Sequence, residues 1–112
     1  MSSTPRPELR VGFIDSKAAR YAVEKWHYSK RLPVGKLVRL GVWEGDRFIG
    51  AVVFSWGANH NLSSQFGLRM TECAELVRVA LRDHQAPVTQ IVAEAIRLLK
   101  QHSPGLRVVV SF

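Results

Sequence analysis

The segment Trp26-His27-Tyr28-Ser29-Lys30-Arg31 gathers an imidazole, a phenol, a hydroxyl and two cations in consecutive positions. His27 titrates near neutrality and suits a general base, Tyr28 can pass a proton or stack on a base, and Ser29 adds a hydroxyl. The structural alternative is that Trp26 and Tyr28 pack as core and rim while His27 caps a helix C-terminus. Arg78 is the second candidate. It stands between Val77 and Val79 in an apolar run, where a guanidinium must reach solvent or find an anion. Either it points into a cleft and holds a phosphate or carboxylate-bearing group, or it pairs with Glu72 or Glu75. Thr89 and Gln90 open a helix whose free first-turn N–H groups attract anions. Trp43 and Trp56 lie on strands and read as core rather than base platforms. His60, His84, His102 and Cys73 show no metal-ligand spacing, so no metal site is expected. Cys73 lies near Glu72 and Glu75, which disfavour a thiolate nucleophile. No Ser-His-Asp order, P-loop or G-x-G-x-x-G occurs.

The elements that position these groups follow from period and punctuation. Residues 1–8 hold two prolines and small polar residues and read as a frayed leader. Leu9, Val11 and Phe13 alternate as a strand. Asp15 or Ser16 then caps a helix to Trp26, with Ala19, Ala22, Val23 and Trp26 on one face. His27–Lys36 is a loop broken by Pro33 and Gly35. Leu37–Trp43 and Phe48–Trp56 form a hairpin about Gly45-Asp46, followed by a polar loop over Gly57–Gly67. Ala74–Leu81 is a strand carrying Arg78. Pro87 opens a second helix to about His102, with Ile91, Val92, Ala95, Leu98 and Leu99 inward. Leu106–Phe112 is a near-unbroken apolar strand, the pattern of burial on both faces. The final strand-helix-strand implies a right-handed crossover and a parallel pair. Because the sequence stops on that strand, either a partner chain (a second copy, for instance) covers it or the domain is incomplete; truncation is the favoured reading.

The 112 residues suffice for one domain, with 46% hydrophobic residues and a single cysteine. No apolar run reaches the roughly 20 residues of a membrane-spanning helix, so no membrane partner is expected. No secretory signal opens the chain, which with the lone cysteine fits a reducing cytoplasm. The net charge is +7 and eleven of the sixteen basic residues are arginine, the side chain best shaped to grip phosphate. Lys25, Lys30, Arg31, Lys36 and Arg39 cluster among Trp26, His27 and Tyr28, a mixture that suits nucleic acid. Solubility charge or a phosphate-bearing cofactor such as coenzyme A would also account for part of it.

The order β-α-β-β-β-α-β, an α/β arrangement with a mixed sheet, resembles the first two-thirds of a GNAT-type acyltransferase fold. More specifically, Trp26-His27-Tyr28-Ser29-Lys30-Arg31-Leu32-Pro33, Gly35-Lys36, Val42-Trp43-Glu44, Gly50-Ala51-Val52-Val53-Phe54 and Glu75-Leu76-Val77-Arg78-Val79-Ala80-Leu81 resemble the bacteriophage Mom family. The likeness spans about residues 9–112, and its most specific part is the Trp-His-Tyr-Ser…Pro loop. It implies a phage- or prophage-encoded enzyme, in the bacterial cytoplasm, that converts adenine in DNA to an N6-carbamoylmethyl form and so shields it from restriction. It further implies an acceptor pocket lined by His27, Tyr28, Ser29 and Arg78, and Lys30, Arg31, Lys36 and Arg39 on the phosphates of double-stranded DNA. An acetyl-CoA or related acyl-CoA donor would lie where strands four and five splay, against Val79 and Leu81, with Thr89 and Gln90 at its anionic end. The target base must leave the stack to react. The family's polar and aromatic residues beyond the fifth strand have no counterpart before Phe112, which is why the domain reads as incomplete. The turn Arg82–Thr89 also lacks the glycines with which acetyltransferases approach the coenzyme A pyrophosphate. Two other readings use the same scaffold: an N-acyltransferase for a small amine or protein, and a non-catalytic DNA-binding or anti-restriction module.

Overall fold

A computed structural model of the chain describes residues 8–27, 29–31, 37–56 and 73–111. Its elements are β1 (Leu9–Phe13), α1 (Ser16–Trp26), β2 (Leu37–Glu44), β3 (Arg47–Trp56), β4 (Cys73–Leu81), α2 (Val88–His102) and β5 (Val108–Ser111). The strands form one sheet in the order β1-β2-β3-β4-β5. The first four run antiparallel to their neighbours, and the crossover through α2 makes β4 and β5 parallel, as the β-α-β pattern requires. This mixed α/β fold has the GNAT-like order.

Each helix covers one face of the sheet. Asp15 caps α1, its carboxylate accepting the Ala18 N–H at 2.8 Å. Ala19, Ala22 and Val23 are fully buried, and their small size lets α1 close onto Ala51 of β3 and Ala80 of β4. Trp26 and Phe48 flank that contact with ring centroids 6.0 Å apart. On the opposite face Ile91, Ala95 and Leu99 of α2 meet Leu40, Val42, Ile49, Val52 and Phe54. A fully buried aliphatic or aromatic side chain is worth about 1.5–3 kcal/mol, so this second face carries most of the stability. Trp56 packs against the same core, while Trp43 packs at a tilt against Phe48 and under Arg10, so both tryptophans serve packing.

Two backbone features set the geometry of β3 and β4. Gly50 has φ +152°, and a Cβ there would stand 1.9 Å from the Ala80 carbonyl oxygen, so only glycine lets β3 and β4 approach. Opposite Val53 and Phe54, the register of β4 shifts: Arg78 pairs with Val53 and Leu76 with Phe54, leaving Val77 as a bulge. The β4–β5 ladder ends at Leu76 and Ser111, so β4 from Val77 to Leu81 continues without a β5 partner among the described residues.

One expectation is corrected. The apolar run at Leu106–Phe112 reads as a central strand, whereas β5 pairs with β4 alone and is the outermost strand among the described residues.

Candidate functional site

The site begins where α1 ends. His27 is the C-cap, its N–H bonded to the Val23 carbonyl at 3.1 Å, and its ring is buried. The chain then turns tightly: Lys30 donates its N–H to the His27 carbonyl and holds a left-handed φ of 56°. That conformation costs a non-glycine residue about 1–2 kcal/mol, strain of the kind that gathers at functional loops. The turn brings Ser29 back onto the imidazole. The Ser29 N–H donates to His27 Nδ1 at 3.0 Å, and Ser29 Oγ lies 2.7 Å from the same nitrogen. An amide N–H aimed at Nδ1 requires that nitrogen to be an acceptor, so the neutral ring carries its proton on Nε2. Burial lowers the His27 pKa below its ordinary value, and the positive charge of Arg78 lowers it further. The result is a neutral imidazole whose acceptor nitrogen holds the Ser29 N–H and also faces the Ser29 hydroxyl.

Arg78 ties this loop to the sheet. Its Nε donates to the Arg31 carbonyl at 3.1 Å and its Nη1 to the Val77 carbonyl at 2.7 Å. The bulge at Val77 supplies that second acceptor and aims the guanidinium toward the α1 face. Arg39 of β2 sits opposite Val53, and Val53 opposite Arg78, so both arginines share one row on the α1 face. Arg39 Nε is buried and has no hydrogen-bond partner among the described residues. No carboxylate pairs with either arginine among those residues. Two guanidinium groups in one row, one with a dry orphan donor, favour an acceptor-rich or anionic guest.

At the far end of β4 the turn into α2 is organised by Glu44. Its buried carboxylate accepts the Gln85 N–H at 2.9 and 3.0 Å and the Ala86 N–H at 2.7 Å. Pro87 has no N–H, and the Gln90 and Ile91 N–H groups both bond to the Pro87 carbonyl. Gln90 therefore does not offer the free backbone donor expected of it, because the first turn of α2 closes on Pro87. Thr89 is exposed in that turn, which has no side-chain cap. A coenzyme A diphosphate needs several convergent N–H groups at such a turn, and here two of them already hold an internal carboxylate. The turn does not fit that group.

The fold thus brings His27, Ser29, Arg31 and Arg78 into one cluster, with Arg39 in the same row of the sheet. Lys30 and Arg31 are exposed on the loop. Arg39, expected on the DNA backbone, is half-buried, since β2 turns it to the α1 face. Val79 and Leu81 lie on the stretch of β4 beyond its last β5 pair, and both are half-buried. Tyr28 and Lys36 lie outside the described residues. Glu44 escaped the sequence reading as a hairpin residue. Its signal was present: Leu40, Val42 and Glu44 alternate, which puts a carboxylate on a core-facing position. No group of His, Cys, Asp or Glu able to hold a metal occurs among the described residues, and no helix there is long and apolar enough to cross a membrane.

The sheet has a GNAT-like order, β4 runs past its last β5 pair among the described residues, and a cationic cluster of His27, Ser29, Arg31 and Arg78 gathers at the end of α1. Residues 8–112 match the Mom protein family, and the chain belongs to it. No curated protein matches the sequence.

Proposed function

We propose that this chain is a DNA-modifying transferase that alters the exocyclic amine of adenine, by carbamoylmethylation at N6, and protects the DNA from restriction. The observation that carries this reading is the Ser29–His27 pair, 2.7 Å apart, held beside the Arg78–Arg39 row. The adenine amine sits inside a base pair in duplex DNA, so the nucleotide turns out of the stack to reach the site. Lys30 and Arg31 on the exposed loop hold flanking phosphates while Arg78 and Arg39 direct donors to acceptor atoms of the bound groups. The donor lies along β4 from Val77 to Leu81. As N6 attacks, an N–C bond forms, the donor's leaving group departs with its bonding pair, and one N6 proton passes through the Ser29 hydroxyl to His27 Nδ1, which releases the Ser29 N–H as it is protonated. Neutral His27 is ready to receive it. This work takes place in the cytoplasm of a bacterial host.

The test is mass spectrometry of nucleosides from the DNA of cells that express the chain. A new adenine nucleoside, heavier than deoxyadenosine, is expected. An unchanged adenine pool with acetyl-CoA turnover on small amines would replace this reading with a general N-acyltransferase. An unchanged pool with salt-dependent DNA binding would replace it with a non-catalytic module.

A further inference from the structure

We propose that Glu44 is a built-in anion that closes the β4–α2 turn to diphosphates, so that the donor used by this protein is not held through a coenzyme A-type diphosphate there. Three observations converge. The Glu44 carboxylate takes both the Gln85 and Ala86 N–H groups at 2.7–3.0 Å. The side chain is buried, with the whole residue only 6% exposed, so the carboxylate is a fixed occupant and not a mobile surface charge. Of the donors that follow, Pro87 has none and the Gln90 and Ile91 N–H groups are spent on the Pro87 carbonyl, which leaves those of Val88 and Thr89 at the start of α2. An incoming diphosphate would have to displace a negative charge from its hydrogen bonds and then lie beside it. Like charges at that separation repel strongly in a partly desolvated site. The turn also contains no glycine, the residue that lets a backbone approach a phosphate most closely. Glu44 thereby acts as a specificity-determining residue for the donor, and this holds whichever acceptor the protein uses.

The experiment is an amide NMR titration of the full chain with acetyl-CoA to millimolar concentration, repeated on Glu44→Gln. In the wild type the Gln85 and Ala86 amide signals are expected to stay in place and no saturable binding to develop. Glu44→Gln keeps the volume and one acceptor but removes the charge. A folded variant, recognised by its dispersed spectrum, is expected to bind acetyl-CoA at least about tenfold more tightly, the worth of one hydrogen bond to a charged group. Saturable binding to the wild type that moves the Gln85 and Ala86 amides would overturn the proposal. So would a folded Glu44→Gln that binds no better than the wild type. Should that variant not fold, the wild-type titration decides alone. Neither readout depends on DNA modification, so failure here leaves the acceptor assignment standing.

Discussion

Replacing Glu44 by alanine removes the carboxylate that anchors the turn between β4 and α2. Two backbone donors, on Gln85 and Ala86, lose their acceptor. Leaving a buried polar group unsatisfied costs about 1–3 kcal/mol. The Ala86 site is buried and bears the full cost, while exposed Gln85 recovers part of its bond from water. The loss should then be about 3 kcal/mol, and for a domain of this size each kcal/mol moves Tm by about 4–8 °C. Thermal denaturation followed by circular dichroism should show Glu44→Ala melting at least about 12 °C below the wild type. Glu44→Gln retains one acceptor and should lose about half as much. The comparison variant is Glu94→Ala, which breaks the exposed Glu94–Arg97 ion pair at 2.8 Å and should cost less than about 0.5 kcal/mol. If Glu44→Ala and Glu94→Ala melt within about 2 °C of each other, the turn is not held as described and the reasoning fails.

Three further outcomes follow from the same geometry. Gly50→Ala forces a methyl group against the Ala80 carbonyl at a left-handed φ, and should cost at least about 3 kcal/mol or prevent folding, read by urea titration. Asp15→Ala removes the α1 cap and should cost about 1 kcal/mol, whereas Asp15→Asn should cost little. His27 has a lowered pKa when folded, so above its ordinary value of about 6.5 the ring is neutral in both states and contributes no pH dependence. As pH falls below that value the unfolded chain takes the proton first, and stability drops until the folded pKa is passed. The stability of the wild type relative to His27→Gln should therefore shrink from pH 7 to pH 5, and a constant difference would show that the ring is not held neutral.

Much of the scaffold was legible because its local signals agree. The Asp15 cap, the alanines of α1, the Gly45-Asp46 hairpin and the Pro87 start of α2 each state one structure, and packing obeys them. The position of β5 was harder to read. An apolar strand carries no mark of whether a neighbour lies on its far side, so edge and centre look alike in Val108-Val109-Val110. The site shows the same divide. Adjacent His27 and Ser29 meet through a local turn, which the Lys30 backbone permits and residue types can suggest. Arg78 joins them through the Arg31 carbonyl, 47 positions away, by way of a bulge at Val77 that no residue type announces. Arg39 reads as surface charge until the register places it beside Val53. Glu44 shows how a long-range partner, a strand end meeting a turn more than forty residues on, stays hidden although its alternation is plain.

The most direct test of the central claim compares deoxyadenosine masses in DNA from cells making the wild type and cells making Arg78→Gln at matched levels of folded protein. The heavier adenine nucleoside should be present with the wild type and fall at least about a hundredfold in the variant, the scale of losing one positioned donor at a reacting centre. Wild-type levels of modified adenine from Arg78→Gln, or none from either chain, would contradict the assignment of this cluster to adenine modification.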